Sequence, residues 1–302
     1  MALFEGFLKG LTTVSNRPSG MRPADDEVDM FGLTHVGKVR KENQDHFLVA
    51  TVHPQIVLHG TSLPQADSLP LRGGRLGTIL LVADGVGGAT DGGAAARLAT
   101  ESVMRYVGTT LRCYHEIGAS RDESFYEELQ GAALQAHDAV RAEAASRGDS
   151  TRLATPMTLG IGVWPWLYVV QVGDSRMYIY TRGALQLVTR DQTVAQPLVE
   201  EGLLKPKDIA RSPLSHVLAS SIGGDEAVPV VSRVDVSERG CVLLFCSDGL
   251  TKHVTDAEIE KACATVKSGE QMCHDLLQLA LDRGGTDNIT LVVARAPLKT
   301  KT

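Results

Sequence analysis

Residues 80–90 read LLVADGVGGAT, an apolar run that ends on one carboxylate and then gives way to glycine. Ile79, Leu80, Leu81, Val82 and Ala83 have the length and residue types of a short buried strand. Asp84 arrives where that strand leaves the core, and a carboxylate desolvated there must be held by a partner cation, a metal or hydrogen bonds. Gly85, Gly87 and Gly88 let the backbone turn tightly and bring its carbonyls near whatever Asp84 holds. Asp-Gly after a strand is also an ordinary turn, so the weight of the reading depends on whether the pattern returns.

It returns along the chain. CVLLFCSDGLT (241–251) is a second apolar strand that ends on Asp248, and LYVVQVGDSRMY (167–178) places Asp174 at the end of a third. Asp287 stands in RGGTDNITLVV (283–293), after a glycine pair and directly before a strand, and Asp45 closes VRKENQD (39–45) ahead of a strand at 46–50. Five carboxylates meeting at the strand ends of one sheet system would repel one another without cations. An oxygen-rich set with no histidine or cysteine at ligand spacing selects hard cations, Mg²⁺ or Mn²⁺ and not Zn²⁺. A carboxylate shared by two such ions gives the arrangement that activates water for attack on phosphorus. The nine histidines form no H-x-x-x-H or H-E-x-x-H pattern, and His46, His216 and His253 read as solvated or core side chains.

Composition bounds the possibilities. The 302 residues suffice for one large domain or two small ones, and 43% hydrophobic with 22% charged residues is ordinary for a globular chain. The net charge of −6 and the lack of a Lys/Arg stripe argue against a nucleic-acid partner. No segment is long and apolar enough to span a membrane. Cys113, Cys241, Cys246, Cys263 and Cys273 form no C-x-x-C pair and read as reduced core thiols, which points to the cytoplasm. Leu3, Phe4, Phe7, Leu8 and Leu11 share one face of an expected amphipathic helix, followed by a polar linker at 15–29. The domain proper is expected from near Phe31, giving an N-terminal segment 1–30, a domain 31–296 and a tail 297–302.

Within the domain, 52–77 reads as a long connection or an excursion hairpin, and 92–106 and 124–147 as helices. Short strands over 157–188, with turns at Trp164-Pro165-Trp166 and Arg182-Gly183, suggest an antiparallel meander. A polar, partly helical excursion fills 194–213, with short helices expected at 194–201 and 206–210. Strands at 230–236 and 241–247, helices at 256–266 and 271–281, and a final strand at 289–294 complete an α+β layered domain.

The ordered set VGKVRKENQD, VADGVGGATDGGAAA, VGDSRMYIY, RDQTVAQPLVEEG, FCSDGLTKHVTDAEI and GGTDNITLVV resembles the metal-dependent PPM/PP2C family of protein serine/threonine phosphatases in its bacterial form. The likeness covers most of the chain from about Phe31 to Ala294, with residues 1–30 and the segment 52–77 outside it. It implies a four-layer α-β-β-α sandwich, two antiparallel sheets flanked by helices, with Mn²⁺ or Mg²⁺ at one end, two ions and a third weaker one. By the resemblance, Asp84 bridges two metals with the Gly85 carbonyl on the second, and Asp248 and Asp287 complete the first. Asp174, with Asp248, matches the third site. Arg40 matches the arginine that grips the substrate phosphate, a task suited to its fork of donors. Asp45 matches the acid that orients metal-bound water, and Asn288 buttresses the metal loop. The implied reaction is direct attack of a metal-bridging hydroxide on phosphoserine or phosphothreonine, without a phosphoenzyme. The implied partner is a phosphorylated protein whose kinase the enzyme opposes, and the chain is expected to act as a monomer.

Three positions depart from the family pattern. Gln44 stands where many relatives have glutamate, Val86 where eukaryotic members place a histidine, and Ala89 where a polar residue is common. Valine cannot transfer a proton, so the leaving oxygen would take one from water. Two other readings compete. VGDSR is similar to the G-D-S-L start of certain serine esterases, with Ser175 as nucleophile, but no D-x-x-H follows Asp287 to complete a triad. A silent phosphatase-like module that binds a phosphoprotein or a kinase is the stronger rival. Retention of Asp84, Asp248, Asp287 and Arg40 argues for turnover. In the 194–213 excursion, Lys205, Lys207 and Arg211 are candidates for contact with an acidic phosphorylated segment.

Overall fold

In the computed structural model, which describes residues 21–55, 57–58, 71–86, 92–114, 122–148, 152–205, 208 and 212–298 apart from the side chains of 109–114 and 122, the strands form two antiparallel sheets. The first runs in the order β1 (Asp29–His35), β10 (Ile289–Arg295), β9 (Val242–Cys246), β6 (Arg176–Thr181) and β7 (Ala184–Leu187). The second runs β2 (His46–Val52), β3 (Gly77–Ala83), β4 (Met157–Val163), β5 (Trp166–Val172) and β8 (Val230–Asp235).

Alternation along the central strands explains the layering. Successive side chains of a strand point to opposite faces. Leu80 and Val82 of β3 therefore meet Leu243 and Phe245 of β9 and Val292 of β10 between the sheets. Ile79, Leu81 and Ala83 turn outward onto α1 (Gly92–Tyr114) and α2 (Asp122–Arg147), against Ala95, Ala99, Val103 and Leu129. On the opposite side, Val242, Leu244 and Cys246 pack outward against Ile259 of α5 (Asp256–Ala264) and Met272 and Leu276 of α6 (Gly269–Asp282). A run that is apolar on both faces is what a strand buried between a sheet and a helix layer requires. The result is the four-layer α-β-β-α sandwich.

Several elements differ from the sequence reading. The meander expected over 157–188 is two hairpins in different sheets, β4–β5 in the second and β6–β7 in the first. The chain crosses between them at Gly173, whose φ of 103° is open to glycine and whose missing Cβ would stand 2.6 Å from Pro156. Alternation and turn residues locate hairpins, but they carry no information about which sheet a hairpin joins. Helix α1 runs on to Tyr114, and a one-turn helix α4 (Asp248–Thr251) starts at Asp248 itself. The polar stretch read as a linker holds a 3₁₀ turn at Asp25–Glu27 and the start of β1 at Asp29. It is fastened to the sandwich: buried Arg75 donates to the Pro23 carbonyl at 3.1 Å, and Arg239 pairs with Glu27 at 2.5 Å. Gln55 and Arg72 bridge antiparallel, as an excursion hairpin would, while 59–70 lie outside the described residues.

The helix expected at the N-terminus, the short helix at 206–210 apart from Asp208, and Lys207, Arg211, Gly87, Gly88 and Ala89 also lie outside the described residues. The first short helix of the excursion is α3 (Ala195–Glu200), and Lys205 is exposed. Cys241, Cys246, Cys263 and Cys273 are free and buried, and burial pushes the Cys246 and Cys273 thiols up to about 12, which leaves them inert. The Cys113 side chain is among those not described. Among the described residues no helix is long and apolar enough to cross a membrane.

The space between the sheets is set by Phe245, which is fully buried and lies over Gly160 of β4, where a Cβ would come within 2.5 Å of its ring. Gly160→Ala is expected to destabilise the fold by about 1–3 kcal/mol through overpacking. In that background Phe245→Leu is expected to recover part of the loss, as urea unfolding midpoints of the two single variants and the double variant will show. Additive losses would mean that the ring and the glycine are not in contact.

Candidate active site

The antiparallel registers bring the carboxylates to one end of the sandwich. His46 pairs with Ala83, so Asp45 just before β2 lies beside Asp84 just after β3. Ala83 pairs with Met157 and Met157 with Val172, which carries Asp174 to the same rim. In the first sheet, Leu291 pairs with Cys246, so Asp248 follows β9 where Asp287 precedes β10. Two close backbone contacts lock this end. A Cβ on Gly249 would stand 1.9 Å from the Asn288 carbonyl oxygen, and one on Gly85 would stand 2.3 Å from the Gly92 carbonyl oxygen. Only glycine permits either approach.

A hydrogen-bonded shell orients the set. Asn288 accepts from the Gln44 main-chain N–H at 2.9 Å and donates from its side-chain amide to the carbonyls of Val36 and Glu42, both at 2.9 Å. That one side chain moors the loop that carries Arg40. Thr290 donates its hydroxyl to Asp45 Oδ2 at 2.7 Å and sits 2.7 Å from the hydroxyl of Thr34, which accepts from Asn43 at 2.8 Å. Thr155 donates to the Asp84 carbonyl at 2.7 Å. Asp45 Oδ1 and Asp248 Oδ1 are buried with no hydrogen-bond partner. Burial and the neighbouring carboxylates hold the Asp84 carboxyl well above its usual range, and burial with Asp248 lifts Asp174 to about 7. Burial likewise lifts Asp45 to about 6.

Asp287 behaves differently because cations cap it. Burial works against its ionisation, yet Arg40 and Lys252 outweigh that effect and hold its carboxyl below the usual value. Arg40 Nε lies 2.7 Å from Asp287 Oδ1 and Arg40 Nη2 donates to Oδ2 at 2.9 Å, a paired-donor contact, with the arginine side chain 57% exposed at the rim. Lys252 Nζ reaches Asp287 Oδ2 and Asp248 Oδ2, each at 2.7 Å. Lys252 was not among the residues singled out in the sequence. Its only signal there is the spacing of four from Asp248, which on a helical turn puts the two side chains together.

The remaining candidates are also placed. Val86 is 44% exposed beside the rim, held by its N–H to the Ala154 carbonyl at 2.9 Å. Ser175 is 0% exposed, which excludes it as an esterase nucleophile. His253 accepts from the Thr286 N–H at 3.0 Å, and so braces the Asp287 loop through a hydrogen bond. Asp191 clasps Arg176 through two contacts of 2.9 and 2.7 Å, and Gln192 accepts from the Gly173 N–H at 2.7 Å. The RDQ stretch thereby pins the root of the 194–213 excursion to the loop that carries Asp174.

The donor chemistry fits Mn²⁺ or Mg²⁺: carboxylate oxygens, two of the buried ones unpartnered, with no thiolate or imidazole among them. Among the described residues no three Asp, Glu, His or Cys side chains close on one point as a finished cage. The Lys252 ammonium and the Arg40 guanidinium stand on Asp287 instead.

Asp45 and Asp174 keep protons in the fold at pH values where the unfolded chain, near 3.8, has lost them. The native state then binds more protons than the unfolded state, so stability falls as pH rises from about 4 to about 7. With chelator present, the melting temperature is expected to drop across that window, and saturating Mn²⁺ is expected to flatten the drop. A melting temperature that rises across the window in chelator would contradict these assignments.

The family profile described as protein phosphatase 2C matches residues 59–278. The chain is 30% identical over 216 residues to the serine/threonine protein phosphatase PstP of Mycobacterium tuberculosis, a match that covers 72% of this chain and 40% of PstP. It is 26% identical over 270 residues to the serine/threonine phosphatase stp of Listeria monocytogenes, covering 89% of this chain and 96% of that one. A solved structure of the PstP catalytic domain in complex with two manganese ions superposes with a TM-score of 0.68 at 26% identity, covering 90% of this chain and 99% of that domain. The profile spans well over half of the chain, and the chain belongs to the protein phosphatase 2C family.

Proposed function

We propose that this chain hydrolyses phosphoserine and phosphothreonine in proteins with the help of divalent cations held at the rim of its sandwich. The observation that carries the reading is the meeting of Asp84 and Asp45 from the second sheet with Asp248 and Asp287 from the first, beside an exposed arginine. The names of the relatives, serine/threonine phosphatases of bacteria, support the same reaction.

When bound, Mn²⁺ or Mg²⁺ would supply the Lewis acidity that activates water and neutralises charge on a transferring phosphoryl group. Asp84, the Gly85 carbonyl, Asp248 and Asp287 would hold the ions, with Asp174 and Asp248 at a third site. Arg40 would bind the substrate phosphate with the donors that now face Asp287. Asp45 is anchored at Oδ2 by Thr290 and has a free Oδ1, so it can orient the attacking water. Val86 offers no proton at the rim, and the leaving serine or threonine oxygen would be protonated by water. The buried free thiols fit a reducing compartment. The biological setting we propose is the cytoplasm, with the chain acting as a monomer that opposes a serine/threonine kinase.

Two experiments test this reading. Hydrolysis of p-nitrophenyl phosphate and of a phosphothreonine peptide is expected to vanish in chelator and return with Mn²⁺, and Asp84→Asn should lower kcat by on the order of 100-fold, about 2.7 kcal/mol in the barrier. Turnover that survives chelation, or binding of the peptide without turnover in Mn²⁺, would overturn it, the latter in favour of a silent binding module. Arg40→Ala is expected to act mainly by raising KM about 10-fold, with Arg40→Lys recovering only part, because lysine supplies charge without paired donors. An unchanged KM in both would move phosphate binding elsewhere.

A further inference from the structure

Lys252 is not an ordinary surface lysine. It follows α4 directly, its N–H bonded to the Asp248 carbonyl at 2.9 Å, so the turn aims its side chain back over the Asp248 carboxylate. The contact of Gly249 with Asn288 fixes α4 against the start of β10. His253 ties the same segment to Thr286, and Arg283 donates to the His253 carbonyl at 2.8 Å. The backbone therefore presents Asp248, Asp287 and Lys252 to one another in fixed geometry. The ammonium takes up Asp248 Oδ2 and Asp287 Oδ2 at 2.7 Å each, and Arg40 covers the other Asp287 oxygen. Asp287 has no oxygen that is not already against a cationic donor, and Asp248 has Oδ1 alone.

We propose that Lys252 is a built-in competitor for the divalent cation: capture of an ion by Asp248 and Asp287 proceeds by exchange against the Lys252 ammonium, which thereby sets how much free metal the site requires. This rests on the reading that Asp248 and Asp287 hold a metal ion. A hard divalent ion binds through carboxylate oxygen lone pairs, and it would draw on the oxygens that the ammonium now holds. Shared occupancy would set a double and a single positive charge within a few ångströms of each other, a strong repulsion in a half-buried site. Exchange keeps the carboxylates neutralised in both states. The metal-free rim is held together by lysine, and the loaded rim by metal.

The test is Mn²⁺ binding by isothermal titration calorimetry at constant pH and ionic strength, on wild type, Lys252→Met, Lys252→Gln and Asp248→Asn, with Lys261→Met as a control on α5. Both Lys252 variants are expected to bind Mn²⁺ at least 10-fold more tightly than wild type, which corresponds to about 1.4 kcal/mol. Lys252→Met without metal is expected to melt below wild type, and to gain more in melting temperature when Mn²⁺ is added. Lys261→Met should leave the affinity unchanged. Equal or weaker Mn²⁺ binding by the folded Lys252 variants, while Asp248→Asn loses it, would overturn the exchange and leave the metal site standing. Wild-type affinity in Asp248→Asn would overturn the metal reading and the exchange together.

Discussion

Like charges crowded at the edge of a protein core repel one another and resist desolvation, and the strand ends of this chain crowd Asp45, Asp84, Asp174, Asp248 and Asp287 onto one rim. The sandwich makes this unavoidable. Each central strand is largely apolar on both faces because it separates an inner core from a helix-covered one, so these carboxylates stand where strands stop. Antiparallel pairing then gathers those stops at the same end of both sheets. Metal chemistry is the natural use of such an end, and it is the use that membership of the protein phosphatase 2C family supports.

The rim is held from behind by neutral groups and from the front by cations. Asn43, Thr34 and Thr290 form a line of hydrogen bonds to Asp45, Asn288 moors the Arg40 loop, and Thr155 holds the main chain at Asp84. These contacts orient oxygens without neutralising them, and so Asp45, Asp84 and Asp174 stay above the usual carboxylate range. Asp287 falls below it, because Arg40 and Lys252 face it directly. The contrast within one site separates a half still short of positive charge from a half already supplied with it.

Much of this was legible in the sequence, for a physical reason. A strand buried on both faces leaves a continuous apolar run, and a carboxylate or a glycine at its end is conspicuous; Asp84, Asp174 and Asp248 stand out in that way. Asp45 and Asp287 precede their strands and stand out less, yet the same rule finds them. What was not legible is set by contacts between distant segments. The splitting of 157–188 between two sheets depends on Gly173 and on the partners β8 and β9, far along the chain. The hydroxyl of Thr290 reads as one more strand residue until β1 and the start of β2 are packed beside it. Lys252 reads as a solvated charge after a turn, and only the approach of the Asp287 loop to α4 turns it into a bridge between two carboxylates.

The most direct measurement is an anomalous difference map at the manganese edge from crystals grown or soaked in Mn²⁺. Peaks bounded by the carboxylates of Asp84, Asp248 and Asp287 are expected, with the Lys252 ammonium moved off the oxygens it holds at 2.7 Å in the present structure. A map from fully active crystals with no peak at this rim, or with manganese bound only elsewhere on the surface, would contradict the assignment of these strand-end carboxylates to divalent cations.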